Sequence, residues 1–192
     1  MKKYPLWKSL MDFIISFVGI VVLLPFFFVL FILASFDTGF PGVFTQERIG
    51  RFGKIFTIYK FKTYHSKTRK ISSFGNWMRK TKLDELPQLF NILKGEMSLI
   101  GYRPDIAGYY DTLKGNDREV LQLKPGILSD AGFKYRNEDE ILSKQQDSLQ
   151  YNDEVLFPDK VKMNLQYVHD LSFKNDLKII VKAVTIVIRI NR

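Results

Sequence analysis

The sequence contains no cysteine, which excludes a disulfide framework and any thiolate-bound metal centre. It has only two histidines, His65 and His169, too few and too far apart for a zinc site. Any metal would then be a hard cation on oxygen ligands, and Mg²⁺ is the expected one. Acidic residues are the minority: 20 Asp and Glu stand against 29 Lys and Arg, giving a net charge of +9. That balance predicts an acidic partner, whether nucleic acid, an anionic membrane surface or a phosphorylated substrate. No recognisable nucleic-acid motif accompanies the charge, so nucleic acid is not the expected partner. Internal repeats and low-complexity tracts are absent. The 192 residues suffice for one compact domain plus an appendage.

Charge is also missing from one long run, Phe13 to Phe36, roughly the length that spans a bilayer. The run is too long for a signal peptide, and no clear small-x-small cleavage site follows it. Pro25 sits at its middle, after Leu24, and removes a backbone hydrogen bond there. Lys2, Lys3 and Lys8, with Tyr4 and Trp7, precede the run as an interfacial anchor; Arg48, Arg51 and Lys54 follow it. With both flanks basic, neither end is disposed to cross. Two readings stay open on these residues: a plain single span, or a broken helix that enters and returns to one face.

After the turn at Phe40-Pro41-Gly42, Val43–Ile49 and Lys54–Thr63 alternate around Gly50-Arg51-Phe52-Gly53, which predicts a hairpin. Its basic residues, Lys60 among them, would face headgroups, a phosphorylated ligand or only solvent. Tyr64–Gly75 reads as a loop. Asn76–Lys80 leads on from it and supplies Arg79.

The central stretch is Thr81 to Leu93. Leu86, Leu89, Phe90 and Leu93 recur at helical spacing and predict one apolar stripe. Pro87 fits only in a first turn, which places Asp84 at or beside an N-cap, with Gln88 following. Lys94-Gly95 supplies a cation and a stop. Helix-start donors would keep Asp84 ionised at neutral pH and could receive a phosphate beside it. A simple cap explains the same pattern.

Beyond it, Arg103-Pro104 fixes an extended arginine, of the kind that binds phosphate in a fork or pairs with Asp105 or Glu96. Ile106–Leu123 reads as a polar helical layer, residues 134–154 as a mobile loop, and Val161–Leu171 as a helix. Asp176–Ile190, with Lys178, Lys182 and Arg189, reads as a helix on the membrane surface with snorkelling lysines, or as a core helix.

Four segments in this order carry a resemblance. They are Gly42–Gly50, Phe56–Thr63, Leu83–Leu89 (Leu-Asp-Glu-Leu-Pro-Gln-Leu) and Gly95–Pro104. Together with the proline-broken apolar run, the chain resembles the bacterial sugar transferases known as small monotopic phosphoglycosyl transferases. The resemblance implies transfer of a phosphosugar from a UDP-sugar to undecaprenyl phosphate, with release of UMP. It implies a re-entrant helix, Asp84 as nucleophile, Glu85 as its acidic partner, and Mg²⁺ as cofactor on Asp84 and Glu85. Arg79 and Arg103 match basic positions near the diphosphate, and Arg136 matches a third; Lys60 and Gln88 complete the expected substrate contacts. Leu24-Pro25 stands where Ser-Pro is common, Lys62-Thr63-Tyr64 where Arg-Thr-Met is, Gly101-Tyr102-Arg103-Pro104 where Gly-Pro-Arg-Pro is, and Ile127-Leu128-Ser129 where Ile-Thr-Gly is. The later departures fall in segments expected to frame the sugar or the nucleotide.

The expected fold is α+β and predominantly helical. Residues 1–38 form a re-entrant membrane helix, and residues 39–192 a catalytic domain on the cytoplasmic face of the bacterial inner membrane. Membrane lipid is an expected partner, and a homodimer stays open. An inactive scaffold that recruits glycosyltransferases is the alternative, and the intact Asp84-Glu85 pair with Arg79 and Arg103 argues against it.

Overall fold

The structure is a computed structural model that describes residues 4–190. Lys2, Lys3 and the side chain of Arg189 lie outside the described residues. The chain divides into two compact units, one formed by residues 6–48 and 55–97, the other by residues 4–5, 49–54 and 98–190.

The first unit begins with α1, Leu6–Thr38, which continues helical through Pro25. Its 33 residues extend about 50 Å at about 1.5 Å per residue. It is the one described helix long and apolar enough to cross a membrane. One face is buried: Ser16, Ile20, Phe27, Leu30, Ala34 and Thr38 recur at helical spacing. The other faces leave Phe13, Phe17, Val22, Leu24 and Phe28 exposed. Hydroxyls on the helix return their protons to its own carbonyls: Ser35 Oγ to Phe31 O (2.7 Å) and Thr38 Oγ1 to Ala34 O (2.7 Å). Such groups can therefore lie in an apolar medium without an unmet donor.

Strands β1 (Val43–Ile49) and β2 (Ile55–Phe61) pair as the expected hairpin. Helix α2 (Ser73–Thr81) starts at Ser72, whose hydroxyl accepts from the Gly75 N–H at 2.9 Å, so the expected loop ends there. A 3₁₀ turn, Leu83–Glu85, leads into the short α3, Gln88–Leu93, and Gly95 ends it at φ +78. α3 packs on α1 and on β2.

In the second unit, β3 (Ser98–Ile100) pairs in parallel with β4 (Gly126–Leu128), Ser98 opposite Gly126 and Ile100 opposite Leu128. The chain closes so tightly here that a Cβ on Gly126 would stand 2.1 Å from Gly101 N. Ile106–Leu123 is less regular than expected and holds 3₁₀ turns at Tyr110–Thr112 and Gly115–Gln122. The stretch expected as a mobile loop is short helices instead, α4 (Asp130–Lys134), α5 (Glu138–Ser143) and α6 (Ser148–Tyr151), followed by a π turn. Ion pairs anchor it: Lys160 Nζ to Glu138 Oε1 at 2.6 Å and Lys134 Nζ to Asp159 Oδ2 at 2.7 Å. Helices α7 (Phe157–His169) and α8 (Phe173–Ile190) follow the expected pattern. α8 buries Asp176 and Ile179 and exposes Phe173, Leu177, Val181 and Val184 along one side.

Candidate active site

Asp84 does not cap α3. It lies inside the 3₁₀ turn, Pro87 takes the N-cap position, and no side chain caps that helix. The turn is set up by Lys82, which ends α2 in the left-handed region at φ 59 and starts the 3₁₀ turn in the same residue. This hands the chain over with Asp84 and Glu85 both buried, 8% and 6% exposed. The expected apolar stripe is also turned: the buried face of α3 is Gln88, Leu89, Asn91 and Ile92, while Phe90 is exposed.

Burial then decides the electrostatics. It raises the Asp84 carboxyl above its ordinary pKa, and the neighbouring Glu85 raises it further; Lys60, Lys82 and Arg79 act in the opposite direction but do not win. The ionised state at neutral pH is thus opposed by the site rather than held by a helix start. Asp84 Oδ1 is buried with no hydrogen-bond partner among the described residues. An orphaned buried carboxylate oxygen costs stability unless a ligand completes it.

The cations are held in place. Lys60 Nζ lies 3.2 Å from Glu85 Oε1. Arg79, exposed on α2, donates Nε–H to Thr63 Oγ1 at 2.9 Å, and Thr63 is buried. Gln88 is buried in α3, without a hydrogen bond to either carboxylate among those the structure gives. The first unit therefore gathers five of the expected residues: Asp84, Glu85, Lys60, Arg79 and Gln88. Arg103 and Arg136 belong to the second unit, where both are exposed. Arg136 lines an open cavity of about 390 Å³ with Phe133, Lys134 and Lys144. Tyr102, one of the departures expected to frame the sugar or nucleotide, is instead core. It is 1% exposed, and its ring lies tilted against that of Tyr110, the centres 4.8 Å apart.

Two contributors were not legible as site residues. Lys82 carries no signal beyond its charge, because its role depends on a left-handed backbone. Asn91 is fully buried and bonds on three sides. Its Nδ2 donates to Thr57 O (2.7 Å) and Glu96 Oε2 (2.8 Å), and its Oδ1 accepts from Tyr59 N–H (3.1 Å). It pins α3 to the strand that carries Lys60.

The donor set fits Mg²⁺ in the way that ion is usually held, by one or two carboxylates with substrate phosphates and water. Asp84 Oδ1 is the orphaned oxygen and Glu85 adjoins it, whereas no cluster of three or more His, Cys, Asp or Glu occurs among the described residues. Protein alone would not enclose the ion.

The model of the bacterial sugar transferase family matches residues 3–190. The chain is 31% identical over 173 residues to a galactosyl transferase, CpsE, of Streptococcus agalactiae, covering 78% of this chain and 35% of that protein. It is 37% identical over 115 residues to a putative undecaprenyl-phosphate N-acetylgalactosaminyl 1-phosphate transferase of Bacillus subtilis, covering 54% and 64%. It is 29% identical over 191 residues to the UDP-glucose:undecaprenyl-phosphate glucose-1-phosphate transferase of Xanthomonas campestris, covering 91% and 37%. The chain thus spans between about a third and two thirds of the length of these relatives.

Proposed function

The chain belongs to the bacterial sugar transferase family, and from that premise we propose that it moves a phosphosugar from a UDP-sugar onto undecaprenyl phosphate. The reaction would begin a surface polysaccharide or glycoprotein glycan. The relatives' names share the undecaprenyl-phosphate acceptor in two cases and differ in the sugar. They support the reaction class and leave the sugar open.

The observation that carries the reading is Asp84: a buried carboxylate with an orphaned oxygen, beside Glu85 and under the influence of three cations. In the first displacement an Asp84 oxygen bonds to the sugar-bearing phosphorus. The bond from that phosphorus to the bridging oxygen breaks, and UMP leaves with that oxygen. The enzyme then carries an acyl phosphate whose phosphate bears the sugar. In the second, an oxygen of undecaprenyl phosphate bonds to the same phosphorus and the bond to Asp84 breaks, which restores the carboxylate and yields the polyprenyl-diphosphate sugar. Lys60 holds Glu85, and Arg79, held by Thr63, offers its guanidinium to the diphosphate. Arg103 and Arg136 are the proposed further contacts to the nucleotide. Mg²⁺ on Asp84 and Glu85, when bound, would neutralise charge building on the departing UMP. Burial that opposes the charged carboxylate in the resting site favours its release into a bond.

α1 is proposed to enter and leave the cytoplasmic face of the bacterial inner membrane, with the exposed apolar side of α8 resting on the same surface. The basic flanks and Pro25 support the first, and the stripe Phe173, Leu177, Val181 and Val184 the second. Single cysteines near residues 3 and 40, in a chain that has none of its own, should both react only from the cytoplasmic side; reaction of residue 3 from outside would establish a span.

The reaction is tested by incubating the protein with UDP-sugar labelled in the sugar, without acceptor. Label should stay on the protein, and Asp84→Asn should abolish both labelling and turnover. A fully active Asp84→Asn protein overturns the mechanism.

A further inference from the structure

The turn of the hairpin, Gly50 to Lys54, carries two cations and no acid. Arg51 Nε donates to Gln122 O at 2.8 Å. Its guanidinium carbon lies 5.1 Å from the centre of the Tyr4 ring and 4.4 Å from that of Phe52. Lys124 Nζ meets the same Tyr4 ring at 4.8 Å. Arg118 lies over Gly53: a Cβ there would stand 3.5 Å from its Nη2. All these residues belong to the second unit. The Tyr4 ring thus draws Arg51 and Lys124 together, in the same turn as Lys54 and the glycine under Arg118.

The outward donors are open. Among the described residues, Arg51 Nη1 and Nη2, Arg118 Nη2 and Lys54 Nζ make no hydrogen bond or ion pair within the protein; Arg118 uses Nη1, on Asp111 O and Leu113 O. Of the acids flanking Arg118, Glu119 turns to His169 Nε2 at 3.5 Å, and Asp117 forms no ion pair among the described residues. Phe52 sits at the tip with φ 62 and is 38% exposed. A bulky side chain in the left-handed region is strained, and such strain gathers at ligand sites. Tyr4 stands two residues before Leu6, where α1 begins.

We propose that this turn binds the headgroup phosphate of an anionic phospholipid on Arg51, Lys54 and Arg118, with Phe52 among the upper acyl carbons. Guanidinium forks and an ammonium suit a phosphate. A zwitterionic headgroup brings a cation of its own, for which the turn offers no carboxylate, so charge selects an anionic lipid. A soluble phosphate would match the same donors and leave the Phe52 ring without an apolar partner; a lipid meets both. Tyr4, amphipathic and next to the start of α1, suits the same depth. The choice of lipid rests on the reading above that α1 lies in a membrane, and not on the transfer reaction.

The test uses the full chain in phosphatidylcholine nanodiscs doped with phosphatidylglycerol that bears a diazirine high in one acyl chain, against a phosphatidylcholine probe of the same design. Both probes should label α1, whereas residues 51–54 should take label from phosphatidylglycerol in preference. Lys54→Gln and Arg118→Gln should each cut the label on the turn about fivefold, one basic residue's share at an anionic surface, and leave the label on α1 as it was. Phe52→Asn, which tolerates the left-handed turn, should cut it as well. Equal labelling of the turn by both probes, undiminished label in any of these variants, or loss of the label to excess inorganic phosphate or UDP would each overturn the assignment; the last would give the donors to a soluble anion. Label on α1 with none on the turn would overturn the site and keep the membrane reading, and label on neither would remove both. Label on the turn of a protein that releases no UMP from any UDP-sugar would support the site and remove the reaction.

Discussion

Lys60 Nζ stands 3.2 Å from Glu85 Oε1, with side chains 18% and 7% exposed. The strand β2 thus delivers a mostly dehydrated cation to the carboxylate pair, where it also opposes the upward shift of Asp84. Lys60→Met should lower kcat on the order of 10²-fold, the size expected when one positioned charge is removed from a reacting site. Lys60→Arg should recover part of that loss, because the charge returns but its geometry does not. UMP release at saturating UDP-sugar measures both.

Asp84 makes the site less stable than the fold could be. Burial first, and Glu85 second, raise its folded pKa, so the folded state binds the proton more tightly than the unfolded chain does. The stability Asp84 contributes is present below its ordinary pKa and is lost as pH rises through the raised folded value. Asp84→Asn should therefore be inactive yet more stable at pH 7, by about 0.5–2 kcal/mol, or about 2–4 °C in Tm for each kcal/mol. The gain should shrink as the pH is lowered towards 4. Thermal melts of both proteins across that range decide it; a Tm at pH 7 below that of the wild type would contradict the buried charge.

The strongly periodic or sharply punctuated parts of the fold were legible in the sequence. The apolar run became α1, the alternation around Gly50–Gly53 became the hairpin, and the tail became α8. The parallel pair of three-residue strands was not legible, since Ser98–Ile100 finds its partner only after a crossover from Gly101 to Pro125. Residues 138–151 lack periodicity because their helices are too short to show it, and distant ion pairs fix them instead. At the site, the identities Asp84, Glu85, Lys60 and Arg79 were readable from residue type and order. Their electrostatics were not: the shift of Asp84 follows from burial in a 3₁₀ turn that local spacing had read as a helix cap.

Thr63 should act on catalysis only through Arg79. Thr63→Val keeps the shape and removes the oxygen that accepts from Arg79 Nε at 2.9 Å. The guanidinium then loses its orientation, and the KM for UDP-sugar should rise about three- to tenfold, the cost of one side-chain hydrogen bond. Thr63→Ser should rescue it. The acceptor KM should stay put, which separates a positioning role from general damage.

Gly75 is a second control on the same contact. A Cβ there would fall 2.3 Å from Thr63 O, a backbone atom that cannot swing aside. Gly75→Ala should destabilise the protein by about 1–3 kcal/mol, the usual range for overpacking, and should raise the UDP-sugar KM as Thr63→Val does, because α2 and its Arg79 must shift. Chemical denaturation and initial rates on the same preparation would show the two effects together.

Asn91 is where fold and site are joined most directly. Its amide meets β2 at Thr57 O and Tyr59 N–H and meets Glu96 on its own side of the strand, using both N–H donors and the oxygen. Asn91→Leu would keep the volume but leave the part-buried Thr57 carbonyl and Tyr59 N–H without this partner, at up to about 1 kcal/mol for each lost bond. Asn91→Asp would keep the acceptor for Tyr59 and set a new negative charge against Glu96 and Thr57 O. It should be destabilised above the carboxylate pKa and partly recover in acid, whereas Asn91→Leu should be destabilised equally at both pH values. Because β2 also carries Lys60, both variants should lower kcat beyond what lost folded protein explains. That loss should be much smaller when Lys60 is already Met, since the register Asn91 imposes on β2 then no longer delivers a charge to Glu85. A double-mutant cycle in kcat reads this coupling; full additivity would confine Asn91 to holding the fold.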